Sequence, residues 1–489
     1  MSQARNLAQA QDEQAQLRPQ ALALIDGDLR LTHGQLASLI ARTAAHLRAM
    51  GAGEGHLVGV ALGDHATHVV IMLALARIGA VMLPLDHRWT AGERERVALH
   101  FGAALVLTGL RHVEVDAAWA RAVELSAPDD EIAPGGQAPL LVSLSSGTTG
   151  RPKGPRISHE QFLARFRTHW VNLGFVQGDC FACATPLYFG GGRTFVWSTL
   201  YLGGKVVLTP PPWEPEALLA ALEREQVSSL FLVPTQLRRL LAEHPDAPAL
   251  RGLRLLLSSG APLNAQERRA IRDHLCPNFC EYYASTEGGG VTLLTASDID
   301  HHPYSVGRAV HAVQMEVVGD RHEGLPAGQV GRLRYRSPGC ATQFYRDEEA
   351  SQEAFHEGWF YPGDLAQIDA QGYLTLAGRA KDMIIRSGVN IYPEEIETVL
   401  RGHPQVRDAA VIGLPHPDTG EQLLACLVAA GPVSAEDLCH WCEQHLAPYK
   451  VPRRFALLQA LPLNSSGKVL KSALKEQVTQ LGPERWLGV

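Results

Sequence analysis

Short apolar runs alternate with amphipathic segments along the chain up to about Val310. The runs are four to six residues long, which is typical of buried strands. They cover 57–62, 80–85, 103–108, 140–144, 205–208, 229–233 and 253–257. Segments such as 68–78 and 215–225 carry apolar residues at helical spacing. Strands that alternate with helices predict an α/β fold, with mostly parallel sheets covered by helices on both faces.

The longest apolar run, 69–85, is interrupted by Arg77, Gly79 and Pro84. It is too broken for a membrane span and predicts a buried helix followed by a short strand. We therefore expect no membrane-spanning segment.

The pattern changes after about Val310. Alternating strands are predicted at 315–319, 331–337 and 373–376, and a polar, basic segment follows at 378–382. Beyond it, helices are predicted at 393–401 and 435–445, with strands at 406–413 and 422–429. We expect a large N-terminal domain, 1–378, that includes a β-rich part, and a small α+β C-terminal domain, 379–489, with the boundary near 379–382.

Composition narrows the class of protein. The 489 residues are 46% apolar and 19% charged, which predicts large buried cores rather than disorder. With 44 basic and 51 acidic residues the net charge is −7, so a nucleic-acid partner is not expected. The polar N-terminus lacks the apolar stretch of a signal peptide, and eight cysteines are too sparse for a disulfide scaffold. We expect reduced thiols and a cytoplasmic location.

The strongest chemical signal is the segment 145–154, SSGTTGRPKG, directly after a predicted strand. Its glycines permit tight turns, and its amides, hydroxyls and one ammonium could surround phosphate oxygens. It is not a Walker A loop, because no Lys-Ser or Lys-Thr pair follows the glycines. A flexible surface loop is the less favoured alternative. The candidate phosphate-binding residues are Ser145, Ser146, Gly147, Thr148, Thr149, Gly150 and Lys153.

This loop resembles the signature of the class I adenylate-forming enzymes, which include acyl-CoA synthetases, nonribosomal-peptide adenylation domains and firefly luciferase. Four further segments resemble the family's motifs in the expected order: YASTE at 283–287, YPGD at 361–364, the region 378–397, and NSSGK at 464–468. The resemblance spans essentially the whole chain. It implies that the C-terminal domain is a mobile lid that pivots near 379–382.

The resemblance also implies catalytic roles. The family joins a carboxylate to the α-phosphate of ATP, releases pyrophosphate, and passes the acyl group from the adenylate to a thiol. Lys468 would bridge the carboxylate and the α-phosphate, Thr286 would contact that phosphate, and Glu287 would bind Mg²⁺. Two anions meet in the first step, so a cation and a metal are required there. Taken alone, Lys468 and Glu287 would more often be surface groups.

Nucleotide and CoA contacts are implied in the same way. Asp364 would accept hydrogen bonds from the ribose hydroxyls, with Arg379 beside it, and Tyr283 would stack near the adenine. The segment made of Ser259, Gly260, Ala261 and Pro262 would flank the adenine and acyl sites. For the lid, the implied hinge and CoA residues are Lys381, Arg386 and Gly388.

The implied acyl pocket departs from the family's pattern. The resemblance implies that the segments 188–195, 233–236, 258–261 and 282–288 form it. Its candidate residues are Tyr188, Phe189, Gly190, Gly191 and Ala284, with Trp197 as a further apolar wall. Phe189 stands where many members have histidine, Ala284 replaces a glycine, and Pro362 replaces a threonine. The aspartate that holds an amino-acid substrate is missing. We expect an apolar carboxylic acid, aromatic or fatty.

Several questions stay open. The favoured function is an ATP- and Mg²⁺-dependent acid–CoA ligase, but the acceptor could be the phosphopantetheine thiol of a separate carrier protein, since no carrier domain follows Lys468. A luciferase-like oxidation is a remote third hypothesis for the function. The protein is expected to be a monomer or a homodimer.

Zinc binding by Cys439, Cys442 and His445, or by Cys180 and Cys183, is disfavoured, because the pairs fall in different domains.

Overall fold

The computed structural model describes residues 5–107, 115–144, 152–386, 389–416, 419–463 and 468–488. Within these ranges the α-helices are α1 (Gln9–Leu17), α2 (His33–Ala49), α3 (Ala66–Arg77), α4 (Ala91–Phe101), α5 (Ala117–Leu125), α6 (His159–Asn172), α7 (Gly190–Leu202), α8 (Pro215–Arg224), α9 (Pro234–Glu243), α10 (Pro248–Arg251), α11 (Ala265–Ala270), α12 (Glu348–Ala354), α13 (Pro393–Arg401), α14 (Ala435–Glu443) and α15 (Lys471–Leu481).

The strands within the same ranges are β1 (Leu22–Asp26), β2 (Leu29–Thr32), β3 (Leu57–Val60), β4 (Val81–Pro84), β5 (Leu105–Leu107), β6 (Pro139–Val142), β7 (Arg156–Ser158), β8 (Cys180–Cys183), β9 (Lys205–Leu208), β10 (Ser229–Leu232), β11 (Leu255–Ser258), β12 (Phe279–Ser285), β13 (Gly289–Leu294), β14 (Arg308–Ala309), β15 (Gln314–Val318), β16 (Gly331–Arg336), β17 (Phe355–His356), β18 (Trp359–Phe360), β19 (Asp364–Ile368), β20 (Leu374–Arg379), β21 (Ile384–Arg386), β22 (Val389–Ile391), β23 (Val406–His416), β24 (Gly420–Ala429), β25 (Arg454–Leu457) and β26 (Leu487–Gly488).

Two largely parallel sheets form the first part of the molecule. One runs in the order β14-β13-β12-β11-β10-β8-β9-β1-β2, with parallel pairing from β12 through to β1. The other runs β5-β3-β4-β6-β7 and is parallel except at β7. All seven apolar runs form strands, so the α/β prediction is confirmed.

The apolar run 69–85 forms the end of α3 and then β4, as predicted. Helix α3 is buried around its whole circumference from His68 to Arg77 because it packs inside the main core. Arg77 is 3% exposed and its charge pairs with Asp12 at 2.7 Å. In the part of the chain that the structure describes, no helix combines the length and apolarity needed to cross a bilayer.

Five parallel strands end at one edge of the two sheets. Strands β6, β8, β10, β11 and β12 lead directly into the segments that begin at Ser143, Ala184, Val233, Ser259 and Thr286. Ligands of open α/β sheets bind at the carboxyl ends of the strands, where such loops converge. This edge therefore positions most of the predicted site residues.

The later part contains two further sheets. One comprises β15 to β20, and the other comprises β21 to β26. The last sheet has an apolar core on each face, one around Ile396 and Phe455 and one around Leu424 and Leu474. The predicted helices at 393–401 and 435–445 appear as α13 and α14, and the predicted strands there form β23 and β24. The boundary at 379–382 and the division into two domains stay predictions.

Candidate active site

In the described part of the chain, a large cleft of about 2540 Å³ is lined by residues from many segments between Pro84 and Lys475. Its lining includes the following predicted site residues: Lys153, Tyr188, Phe189, Gly190, Gly191, Ser259, Gly260, Ala261, Pro262, Tyr283, Ala284, Thr286, Glu287, Asp364, Arg379, Lys381 and Lys468. Arg386 does not line the cleft, and its guanidinium donates to the carbonyl oxygen of Tyr449 at 3.2 Å. The predicted residues 145–150 and Gly388 lie outside the described residues.

A charged cluster forms where two antiparallel strands meet. Asp364 begins β19 and Arg379 ends β20, and the strand register places them opposite each other. Arg379 Nε lies 2.8 Å from Asp364 Oδ1, and Arg379 Nη1 donates to the Pro362 carbonyl at 3.0 Å. The hydroxyl of Tyr283 donates to the other carboxylate oxygen. A carboxylate has about four acceptor positions, so Asp364 retains capacity for a ligand's hydroxyls.

Charge and burial set the protonation states of this cluster. Burial and the adjacent Asp364 carboxylate raise the pKa of Tyr283 well above its usual range, so its hydroxyl stays a donor. Burial opposes the charged form of Arg379, yet Asp364 keeps the pKa of Arg379 raised. At any physiological pH the cluster therefore presents one guanidinium and one neutral phenol around the carboxylate.

The turn at Thr286 and Glu287 is held by an arginine that the sequence patterns did not single out. Arg165 is 7% exposed and lies in α6, which begins with a capping box between Ser158 and Gln161. Its guanidinium donates to the carbonyls of Thr286 at 3.2 Å, Glu287 at 2.7 Å and Gly339 at 2.9 Å. Because the backbone of the turn is fixed, the Thr286 and Glu287 side chains remain available to the cleft.

Lys468 lines the cleft near Asp364, Glu287 and Arg379. Burial of its ammonium and the nearby Arg379 lower the pKa of Lys468, while Asp364, Glu287 and Glu394 oppose that shift. The side chain still retains accessible surface within the cleft. The ammonium is thus close to the acids that the resemblance assigns to ribose and metal binding.

The donor set around Glu287 fits Mg²⁺ bound through phosphates. Among the described residues no group of three histidine, cysteine or acidic side chains could hold a metal by itself. Mg²⁺ is commonly held by one or two carboxylates together with substrate phosphates and water. A single carboxylate that acts together with nucleotide phosphates is therefore sufficient for such a site.

Helix α7 forms one wall of the acyl region. Tyr188 and Phe189 precede the helix, and Gly190 and Gly191 begin it. A Cβ at Gly191 would lie 2.6 Å from Phe231 Cε1, whereas a Cβ at Gly190 would have no atom within 4 Å. Trp197, expected as a wall, is instead 2% exposed and packs against Phe162 in the core.

The cleft also contains residues beyond the named candidates. Arg193, Phe195 and Tyr282 lie within the expected acyl-pocket segments 188–195 and 282–288, and all three line the cleft. His169 and Phe231 line it as well, but they were not expected, because isolated residues inside a helix and a strand carry no local motif.

The cysteines have packing roles in the structure. All eight are free thiols. Cys439 and Cys442 lie on the buried face of α14, and the Cys439 thiol contacts the Pro452 carbonyl oxygen at 3.2 Å. Burial raises the pKa of Cys442 to about 12, which keeps that thiol protonated.

Comparison with known proteins gives consistent results. The family model described as AMP-binding enzyme matches residues 11–345, and the model of the AMP-binding enzyme C-terminal domain matches residues 395–468. The chain is 32% identical over 478 residues to a feruloyl-CoA synthase from Amycolatopsis sp, covering 95% of this chain and 97% of that protein. It is 30% identical over 502 residues to the long-chain-fatty-acid–CoA ligase FadD13 of Mycobacterium tuberculosis, covering 96% and 98%.

Solved structures agree with these relatives. The o-succinylbenzoate CoA synthetase MenE of Bacillus subtilis, solved with its acyl-adenylate intermediate, superposes with a TM-score of 0.88 at 27% identity, covering 97% of this chain and 99% of that one. The same synthetase, solved with ATP and a magnesium ion, superposes with a TM-score of 0.87 at 27% identity, covering 95% and 99%.

Proposed function

This chain belongs to the AMP-binding enzyme family, and from that premise we propose that it converts a carboxylic acid and ATP into an acyl-adenylate and pyrophosphate, then transfers the acyl group to coenzyme A. It is an AMP-forming acid–CoA ligase. The observation that carries this function is the single cleft in which Lys468, Glu287 and the Asp364–Arg379 pair lie together.

In the first step a carboxylate oxygen bonds to the α-phosphorus of ATP, and the bond from that phosphorus to the bridging oxygen of pyrophosphate breaks. Two anions approach each other, so the site must supply positive charge where they meet. Lys468 supplies it between the carboxylate and the α-phosphate, with Thr286 donating to the same phosphate. Glu287 would hold Mg²⁺, which neutralises phosphate charge when bound.

The nucleotide is held by groups arranged before it binds. Asp364, oriented by Arg379 and Tyr283, accepts hydrogen bonds from the ribose hydroxyls. The segment 259–262 follows β11 and flanks the base, while Lys153 and the loop 145–150 bind the phosphates. Tyr283 lies beside the adenine. Because these groups are preorganised, less free energy is lost in ordering them during the reaction.

The second step requires the thiol of CoA to attack the acyl carbon, with AMP as the leaving group. We place the hinge for this step at 379–382, between domains 1–378 and 379–489. Gly378 adopts a φ of +120°, which residues with a side chain rarely adopt, directly before this segment. Residues 380–382 form a short 3₁₀ turn that contains the exposed Lys381. Rotation there would replace Lys468 by the loop that contains Arg386 and Gly388.

A proline at Lys381 tests the hinge, because proline fixes φ near about −65° and removes an N–H. Lys381→Pro should trap one orientation and reduce one half-reaction far more than the other. Pyrophosphate exchange and acyl transfer from preformed adenylate would be measured on the same variant. Parallel losses, or no loss in either, would reject a hinge at this position.

Four further points of the function are proposals. CoA is the favoured acceptor, and a carrier protein's phosphopantetheine is the alternative. The chain acts as a monomer or a homodimer, and the free cysteines support a cytoplasmic location. The acid is apolar, either aromatic or fatty, since related ligases named for feruloyl and for long-chain fatty acyl groups are similarly distant from this chain.

The direct experiment is ATP–pyrophosphate exchange over a panel of carboxylic acids, followed by thioester formation with CoA or with a carrier protein. An acid-dependent exchange followed by CoA-dependent AMP release is the expected result. Nucleotide binding without exchange for any acid would contradict the ligase function. Exchange followed by transfer only to a carrier protein would support the alternative acceptor.

A further inference from the structure

The inner end of the cleft, which we call the distal pocket, is formed by Arg165, His169, Phe195, Phe231 and Tyr282. We propose that it binds the tail of the acid, and that this tail is an aromatic ring with an oxygen substituent far from the reacting carboxylate. The inference rests on the ligase function proposed above and specifies its substrate class.

Aromatic rings make up most of this pocket. The imidazole of His169 stacks on Phe195 with ring centroids 4.2 Å apart, and Phe195 stacks on Phe231 at 5.5 Å. Tyr282 is 4% exposed and is fixed by a 3.0 Å hydrogen bond between its hydroxyl and Thr168. Such rings interact favourably with another ring through edge or face contacts. A flexible alkyl chain would lose more conformational entropy on entering the same space.

Glycines are required where the rings pack most closely. A Cβ at Gly290 would lie 1.5 Å from the Tyr282 hydroxyl, and one at Gly191 would lie 2.6 Å from the Phe231 ring. Side chains at these positions would displace the aromatic walls. The rings therefore pack directly against the backbone at Gly191 and Gly290 and have little room to move. A pocket with such fixed walls favours a rigid, planar ligand.

Polar groups without partners distinguish this pocket from an ordinary apolar core. Arg165 and His169 lie one helical turn apart on α6, so they share a face. His169 is 3% exposed and lines the cleft, and neither nitrogen of its imidazole has a hydrogen-bond partner among the described residues. Its Nδ1 is closed off by the protein, so a ligand in the cleft would pair with Nε2, which is not fully buried. An unpaired polar group in such a place is unfavourable, and a ligand oxygen that pairs with it removes that penalty.

The charge of the pocket indicates an oxygen acceptor. Arg165 uses three of its five N–H groups, all on backbone carbonyls, which leaves two donors. The Glu287 carboxylate acts on Arg165, whereas burial and then Arg165 lower the pKa of Arg193 to about 9. Burial, and then Arg165, lower the pKa of His169 to about 3, so its imidazole is neutral and offers one N–H. A hydroxyl, ether or carboxylate oxygen suits such donors, whereas a methyl group leaves them unpaired.

The test compares matched acids in one enzyme. Specificity constants for pyrophosphate release would be measured with benzoate and cinnamate, their 4-hydroxy and 4-carboxy derivatives, and octanoate. In the unaltered enzyme, at least one oxygenated acid should exceed its unsubstituted parent and octanoate by about tenfold, the effect of one buried hydrogen bond. The 4-hydroxy and 4-carboxy arms separate a neutral from an anionic oxygen, and preference for either supports the proposal.

Variants locate the preference. His169→Phe keeps an aromatic ring but removes both nitrogens, and the ratio between oxygenated and unsubstituted acids should fall to about twofold or less. His169→Asn retains a donor and an acceptor and should keep a clear preference. Arg167→Met alters an exposed residue of the same helix and should leave the ratio unchanged. A structural defect would lower all rates together and would not change a ratio.

The proposal is overturned if octanoate or an unsubstituted acid is the best substrate, or if His169→Phe leaves the ratio intact while the variant is folded by circular dichroism. If His169→Phe does not fold, loss of the preference in folded His169→Asn overturns it as well. If the enzyme forms CoA thioesters but shows no preference for oxygenated acids, the proposed substrate class is wrong and the ligase function is unaffected. Failure to release pyrophosphate with every acid would instead contradict the ligase function itself.

Discussion

The nucleotide end of the cleft and the distal pocket differ in how their polar groups are satisfied. At the nucleotide end, Asp364 is bound to both Arg379 and Tyr283. In the distal pocket, the His169 imidazole has no hydrogen-bond partner among the described residues. Under the proposed function, the groups assigned to ATP are already paired within the protein, whereas the imidazole assigned to the acid would be paired by the ligand.

Arg165 connects the two regions, because it holds the Thr286–Glu287 turn and also lines the distal pocket. The difference between the regions has a measurable consequence. Changes at the nucleotide end should lower activity by the same factor for every acid. Changes in the distal pocket should alter the ranking of acids.

The largest effect is expected for Lys468→Ala. Loss of a charge needed where two anions meet should reduce adenylation by about a thousandfold, equally for two acids of different shape. Acyl transfer from preformed adenylate to CoA should remain largely intact, because the proposed rotation at 379–382 would then have carried Lys468 away from the reacting groups. Pyrophosphate exchange and single-turnover transfer measure the two steps. Lys475→Ala, an exposed lysine of α15, is the control, and equal loss of both steps would contradict this role.

Glu287→Gln should have the next largest effect. A neutral amide binds Mg²⁺ more weakly than a carboxylate, so the Mg²⁺ concentration for half-maximal turnover should rise about tenfold or more. The thermal midpoint should change little, since the turn is held through its backbone by Arg165. A titration of initial rate against Mg²⁺ provides the measurement. An unchanged Mg²⁺ dependence would show that the metal is bound elsewhere.

Asp364→Asn should raise the KM for ATP by about tenfold, because a carboxylate accepts stronger hydrogen bonds than an amide and also pairs with Arg379. The KM for the acid should change far less. Tyr283→Phe removes only one donor to Asp364 and should give a smaller increase. Steady-state kinetics with each substrate varied separately distinguishes these outcomes. A larger increase in the KM for the acid than in the KM for ATP would contradict the proposed role of Asp364 in nucleotide binding.

Gly191→Ala tests the distal pocket against a neighbouring control. The new Cβ would lie 2.6 Å from Phe231 and 3.2 Å from Phe189, so these rings must shift. The specificity constant should fall several-fold, more for acids with a bulky tail, in line with the cost of overpacking. Gly190→Ala places its Cβ in open space and should have little effect. Equal losses in both variants, or a loss independent of acid size, would argue against this wall.

The smallest effect concerns Glu394, which faces the nucleotide end from α13. Burial, followed by Glu397, raises the pKa of Glu394 to about 7 from an ordinary 4.5. The folded state therefore holds this proton more tightly than the unfolded chain. The contribution of this group to the free energy of unfolding is at its full value below about pH 4.5 and is lost as the pH rises through about 7.

Glu394→Gln should remove this loss. Its thermal midpoint should exceed that of the unaltered protein by about 1–2 °C at pH 8 and match it near pH 4.5. The effect is small because Glu394 is only half-buried. Thermal unfolding followed at both pH values tests it, and a difference that does not depend on pH would contradict the assignment.

The elements that the sequence predicted well are those with a local signature. The runs that became β3, β9 and β10 are apolar apart from Lys205 and Ser229 at the strand starts, because these strands are buried on both faces. The run 69–85 was identified as a helix and a strand because Gly79 and Pro84 interrupt it. Ends of elements differed by one to three residues, since terminal hydrogen bonds depend on neighbours that the local pattern does not contain.

By itself, the sequence determined the alternation of strands and helices and the order of the motifs, because periodicity and spacing are local properties. The candidate cleft residues followed from the resemblance of those motifs to a known family. Only the tertiary structure decided that Arg165 holds a turn more than a hundred residues away, that Asp364 faces Arg379 through strand register, and that His169 lies against Phe195 with an unpaired nitrogen. It also moved Trp197 from the expected wall into the core. Such contacts join distant segments, and packing rather than local pattern selects them.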